Sequence, residues 1–303
     1  MIHLFALLSL LLCGVCYTGF QNSSHFHNTG NRRSLLLLVF GGALLLRLLL
    51  AYTTHGFSND IACFAAWADR IFTLGPGQFY SAEMFTDYPP GFMYVLYLIG
   101  ALRSLLQIPY YSDLHILLLK LPAILCDIAC GFLLYREAVK RLHFSDLQGI
   151  FAASAYLFQP AVILNSSCWG QVDSVYTLMI ILMCLFLMKG NLLPAYAVYG
   201  LGVLLKPQML IFTPVLLAGI WDHVFLQDFS WRKFFYNLCG GLVVICGMLL
   251  LCAPFGLTAA ISQYTSTLGS YEYAAINAYN FWGLLGMNWV DQNTIFLFLP
   301  CKT

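Results

Sequence analysis

The chain has 303 residues, of which 60% are hydrophobic and only 9% charged, against roughly 25% charged in an ordinary soluble domain. A water-soluble fold of this length has nowhere to put that much apolar surface. A net charge of +1, with no run rich in Lys or Arg, excludes the basic footprint of a nucleic-acid partner.

In chain order, apolar segments run over 2–17, 34–52, 91–107, 114–135, 147–164, 172–188, 192–205, 208–221 and 234–253, with a stub at 293–300. Most have the length of about 17–25 residues that crosses ~30 Å of hydrocarbon. The first lacks the basic start and small-residue cleavage pattern of a signal peptide and reads as an extra helix. The pattern predicts an all-α, polytopic helical membrane protein in one domain, with about seven or eight spanning helices. Most of the eleven cysteines lie inside apolar runs. Cys13/Cys16 and Cys126/Cys130 are spaced to share helix faces but lack His or polar neighbours, and read as packing residues.

The basic residues set the orientation, because Lys and Arg in short loops stay on the cytoplasmic side. One set of loops holds Arg32, Arg33, Arg136, Lys140, Arg141, Lys189, Arg232 and Lys233; the other holds Asp60, Asp69, Glu83, Asp87, Asp173, Glu272 and Asp291. Strict alternation through every segment breaks this sorting. It is restored if 91–107 lies along the outer interface, where Tyr94, Tyr97 and Arg103 suit it. The outer loops are then 53–113, with an amphipathic stretch at 61–74, the short 165–171, the Lys206-Pro207-Gln208 link, and 254–292.

Those loops carry the chemistry. Ser58-Asn59-Asp60 follows the helix 34–52 directly. Asp60 reads either as the N-cap of a helix beginning at Ile61 or as a general base with its pKa raised at the membrane surface. Asp87-Tyr88-Pro89-Pro90-Gly91 is a rigid turn that suits either a binding site or a helix entry. Lys120 and Lys206 are lone cations beside apolar helices, each with a proline close behind. They sit where a lipid phosphate would lie, or they snorkel to the interface. Arg47 and Asp127 are the other charges at membrane depth and can pair. In the 165–173 cluster, Trp169, Gln171 and Asp173 offer an aromatic face and hydrogen bonds for a sugar. They read equally well as an interfacial Trp before a capped helix.

In combination these residues resemble the membrane-embedded GT-C glycosyltransferases, in particular a bacterial group similar to the mannosyltransferases of GPI-anchor assembly. The resemblance covers about 34–291. It rests on Ser58-Asn59-Asp60 with Ala66-Trp67-Ala68, on Asp87-Tyr88-Pro89-Pro90-Gly91, and on Lys120-Leu121-Pro122 with Asp127. Trp169-Gly170-Gln171-Val172-Asp173-Ser174, Leu205-Lys206-Pro207-Gln208 and Asn277-Ala278-Tyr279-Asn280-Phe281-Trp282-Gly283 follow in order. It implies a polyprenyl-phosphate-linked sugar as donor and a glycan, lipid or protein acceptor on the non-cytoplasmic face. The setting it implies is the bacterial plasma membrane, with interfacial helices in the first outer loop. Asp60 would deprotonate the acceptor hydroxyl for inverting attack, and Lys120 and Lys206 would hold the leaving phosphate. Asp87, Tyr88, Trp169, Gln171, Asp173, Gln208, Asn280 and Trp282 would bind substrate. Where many relatives carry an acidic pair, Asn59 precedes Asp60, so neither a metal nor a cofactor is expected. Residues 1–33 read as an added apolar segment and cytoplasmic loop, and 292–303 as the start of a further span. A transporter or flippase for a lipid-linked or polar solute is the competing reading from another class, and a membrane scaffold or assembly subunit is a third.

Overall fold

A computed structural model of the chain describes residues 2–23, 32–80, 85–227, 229–269, 272–275, 281–296 and 299–300. Helix α1 spans Ile2–Ser23, α2 Arg32–Thr53, α3 Ser58–Leu74 and α4 Pro90–Leu105. The longest helix, α5, runs over Asp113–Lys140. Its start is set by Ser112, whose hydroxyl accepts the His115 amide at 3.4 Å. Helix α6 (Asp146–Leu157) opens on a capping box in which Ser145 and Gln148 satisfy each other's backbone amides. Helix α7 (Pro160–Ile163) continues into a π turn over Leu164–Trp169. Then come α8 (Asp173–Met188), α9 (Leu192–Leu205) and α10 (Thr213–Trp221). Helices α11 (Trp231–Cys252), α12 (Leu257–Gly269) and α13 (Phe281–Leu284) follow. Among the described residues the regular structure is otherwise helical, apart from β1 (Ile295–Phe296) paired antiparallel with β2 (Leu299–Pro300) and two isolated bridges, Tyr273 with Asp291 and Ala275 with Asn288.

Among the described residues, four helical stretches are long and apolar enough to cross a bilayer: Arg32–Thr53, Asp113–Lys140, Pro207–Leu226 and Trp231–Phe255. The pair Asp146–Leu157 and Pro160–Trp169, bent by 51°, makes a fifth if it is one broken span. That is fewer than the hydropathy pattern suggests. Helices α8 and α9, at 16 and 14 residues, rise only about 24 and 21 Å at 1.5 Å per residue. Their outward faces are apolar all the same, as are those of the longer helices. Leu37 of α2 and Leu250 of α11 are 75% and 73% exposed. In water such surface carries a penalty of about 25 cal/mol per Å², and hydrocarbon removes it.

Contacts sort the polar residues into two ends. At one end Arg32 reaches the Tyr135 hydroxyl at 3.0 Å and Asp146 at 3.1 Å. There too Arg141 bonds the Met188 carbonyl at 3.4 Å, and the His223 ring meets the Leu187 carbonyl at 2.7 Å. At the other end the Lys120 ammonium bonds the Thr54 carbonyl at 2.7 Å, and the Phe57 amide bonds the Trp169 carbonyl at 2.8 Å. Between the ends, Arg47 and Asp127 form a fully buried pair at 3.2 Å. Asp127 also accepts from the Tyr156 hydroxyl at 3.1 Å. A charge at that depth is tolerated only with such partners, and here the pair ties α2, α5 and α6 together.

Candidate active site

The acidic end is built on α3. Its N-cap position is taken by Phe57, with no side-chain cap, and Asp60 lies in the first turn. The carboxylate is therefore not a cap. Instead its Oδ2 accepts two side-chain donors, Trp169 Nε1 at 2.8 Å and Gln171 Nε2. Two donors on one oxygen fix the rotamer, and among the described residues Oδ1 accepts no hydrogen bond.

Two glycines let the donors reach Asp60. Gly170 ends the π turn with φ of 89°, and a Cβ there would sit 2.5 Å from Ile61 Cδ1. Gly56, at φ 80°, would place a Cβ 2.7 Å from the Trp169 carbonyl. Only glycine takes both the left-handed backbone and the close approach at little cost. The two loops close on each other through the bond from Phe57 N to Trp169 O and through the Phe57 and Trp169 rings, 5.0 Å apart.

The rigid turn supplies the next wall. Pro90 occupies the first turn of α4, where no amide hydrogen is needed, and so fixes Tyr88 just ahead of the helix. The Tyr88 ring stands against Phe64, Trp67 and Phe92, with centroids 5.5–5.6 Å apart. Its hydroxyl donates to Gln171 Oε1 at a long 3.5 Å, and its carbonyl accepts from Tyr80 at 3.0 Å. Burial pushes the Tyr80 phenol upward in pKa, so it stays a neutral donor. A relay thus runs from Tyr88 through Gln171 to Asp60.

The third wall is the stretch between α9 and α10. Lys206 is extended before Pro207, and its ammonium forms an ion pair with Asp173 Oδ1. Asp173 Oδ2 accepts from Asn165 at 2.9 Å. The ammonium also lies 5.7 Å from the Tyr88 ring and 5.6 Å from the Tyr176 ring, within cation–π range.

These walls enclose a cavity of about 740 Å³ lined by Asp60, Asp87, Tyr88, Gln171, Lys206 and Gln208. That volume lies in the range of small-molecule sites. Trp169 and Asp173 stand behind the lining, one on Asp60 and the other on Lys206. Two expected residues among those described, Trp282 and Lys120, lie elsewhere. Asn280 falls outside the described residues, and Trp282, in α13, does not line the cavity. Lys120 is the correction. It was expected at the interface holding a lipid phosphate, yet it is fully buried. Its ammonium donates to the Ala51 carbonyl at 3.2 Å, the Thr54 carbonyl at 2.7 Å and the Thr54 hydroxyl at 3.2 Å. It closes the carbonyl end of α2, where the helix dipole is negative.

The lining also holds residues that sequence reasoning passed over. Cys63, Phe64 and Trp67 follow Asp60 at steps of three, four and seven, one face of a helix, so their signal was present. Tyr264, Tyr273 and Gln292 also line the cavity, and nothing local marks them. Burial raises the pKa of the Cys63 thiol, and the carboxylates of Asp87 and Asp60 raise it further. Among the described residues, no group of three or more His, Cys, Asp or Glu is placed to hold a metal ion. No protein-family model and no curated protein matches the chain. Fold and site define a helical membrane protein with a carboxylate- and aromatic-lined cavity at one end.

Proposed function

We propose that the protein transfers a sugar, with mannose the first candidate, from a polyprenyl-phosphate donor to an acceptor hydroxyl at the non-cytoplasmic face. The setting proposed is the bacterial plasma membrane, and the fold is of the GT-C kind. In this reading α2, α5, the bent α6–α7 pair, α8, α9, Pro207–Leu226 and α11 cross the membrane, α1 adds an eighth span, and α3 and α4 lie at the outer surface. The acceptor oxygen attacks the anomeric carbon as Asp60 Oδ1 takes its proton. The bond from that carbon to the phosphate oxygen breaks, the lipid phosphate leaves, and the configuration inverts. Lys206, oriented by Asp173, stabilises the departing charge, while the aromatic walls carry sugar faces. No phosphate role is kept for Lys120.

The observation that carries this reading is the convergence of Asp60, Asp87, Tyr88, Gln171, Lys206 and Gln208, drawn from four separate stretches of sequence, on one cavity. The 51° bend between α6 and α7 is the one feature that favours a transporter, since transporters use broken helices at their sites. One experiment separates the two. Purified protein in vesicles is given polyprenyl-phosphate hexose and an acceptor. Release of polyprenyl phosphate in step with an inverted glycoside supports transfer. Movement of intact donor between leaflets, without release, supports transport.

A further inference from the structure

At the opposite end of the molecule, two chain segments meet in a cup of about 650 Å³ lined by Arg136, Glu137, Lys140, Arg141, His143, Met188 and Lys189. We propose that this cup binds the phosphate headgroup of an anionic membrane lipid. The proposal rests on no part of the transfer reading.

The charge balance comes first. Four Lys and Arg face one carboxylate, a net charge of +3 with His143 neutral. Glu137 Oε1 is shared by Arg136 at 2.7 Å and Lys189 at 3.6 Å, so one acid orients two cations without neutralising both. The C-termini of α5 and α8 both end here, and each contributes about half a negative charge. About two positive charges remain.

Geometry adds convergence. Arg136, Lys140 and Arg141 come from the end of α5 and the turn after it, and Lys189 from some fifty residues later. Arg141 Nη2 fastens the two segments through the Met188 carbonyl at 3.4 Å. Guanidinium and ammonium groups around a concavity match the donors a phosphate needs. The rim indicates where the phosphate comes from: Leu142 and Met188 are 58% and 51% exposed, apolar side chains beside a charged cup at a helix end. That is the profile of a membrane interface, where a headgroup sits over its own acyl chains. From Lys120 to Lys140 the axis of α5 advances about 30 Å, so the cup and the cavity face opposite leaflets.

The test uses purified protein in mixed micelles of equal phosphatidylglycerol and phosphatidylcholine, with retained lipids counted by native mass spectrometry. The wild type should retain phosphatidylglycerol about tenfold or more over phosphatidylcholine, since each basic group near an anionic surface adds about fivefold. Arg141→Gln with Lys189→Gln should remove most of that preference, and Arg141→Lys with Lys189→Arg should keep it. If the double Gln variant does not fold, Lys140→Gln gives the same reading, with a loss of about fivefold. An unchanged preference in the Gln variants overturns the site. Displacement of the lipid by millimolar inorganic phosphate overturns the lipid as its occupant.

Discussion

The two ends of this helical bundle handle charge in opposite ways. At the cavity end every named cation is already engaged: Lys206 by Asp173, and Lys120 by the carbonyl end of α2. The carboxylate of Asp60, held by neutral donors alone, keeps an oxygen that accepts no hydrogen bond among the described residues. At the other end, cations outnumber acids, and a single Glu137 is shared between two of them. A carboxylate held by neutral donors is equipped to take a proton. An excess of cations around a concavity is equipped to take an anion. Cations paired with an acid or with helix carbonyls mark one end, and cations in excess of acids mark the other.

The largest effect expected at the cavity end is on turnover. Asp60→Asn keeps the size of the side chain and its capacity to accept from Trp169 and Gln171, but it cannot take a proton. Turnover should fall by about 10²–10⁴-fold with donor affinity retained. Retention of more than about a tenth of wild-type turnover removes the base assignment, since the weak end of that range already demands more.

Next comes the donor grip. Lys206→Gln deletes the only cation lining the cavity among the described residues. A hydrogen bond to a charged group contributes about 1.5–3 kcal/mol, so the KM for the donor should rise roughly ten- to hundredfold. Lys120→Gln should instead lower the thermal midpoint and leave the donor KM of the folded fraction unchanged. Equal KM effects from the two variants would erase the distinction drawn between these lysines.

A smaller effect concerns the clasp. Gly170→Ala places a Cβ against Ile61 in a left-handed backbone, a strain of about 1–3 kcal/mol. Gly247→Ala, with nothing within 4 Å of its Cβ position, is the control. Thermal unfolding should show a lower midpoint for the first and none for the second.

The smallest effect reads the field inside the cavity. With its pKa raised, Cys63 holds less thiolate at neutral pH than an ordinary thiol, so alkylation of a variant retaining only Cys63 should be slow and should accelerate as pH rises. Asp87→Asn removes a negative charge that raises that pKa and should speed alkylation at fixed pH. No change would place Asp87 away from Cys63.

Much of this was legible in the sequence. Hydropathy located most of the helices, and charge sorting grouped Asp60 with Asp173 and Arg32 with Arg141, which the contacts also place together, one pair at each end. Motif chemistry named six residues of the cavity wall. What escaped was pairing. The cap alternative for Asp60 arises because caps are local, whereas its partners, Trp169 and Gln171, lie more than 100 residues away. Lys120 reads as interfacial because its distance from the helix start is legible, but the α2 carbonyls it meets are not. The runs at 172–188 and 192–205 look span-like in hydropathy, and only the structure shows that their helices are 16 and 14 residues long.

In the proposed reaction, sugar transfer occurs at the Asp60 end. The most direct measurement delivers polyprenyl-phosphate hexose to the outer leaflet alone of vesicles holding the protein in one known orientation, assigned by labelling a Lys140→Cys variant. With the Asp60 end outward, glycoside and polyprenyl phosphate should appear together within the first turnovers; with the basic end outward, neither should form until donor crosses the bilayer. Equal early product in both orientations, or product only with the basic end outward, would contradict it.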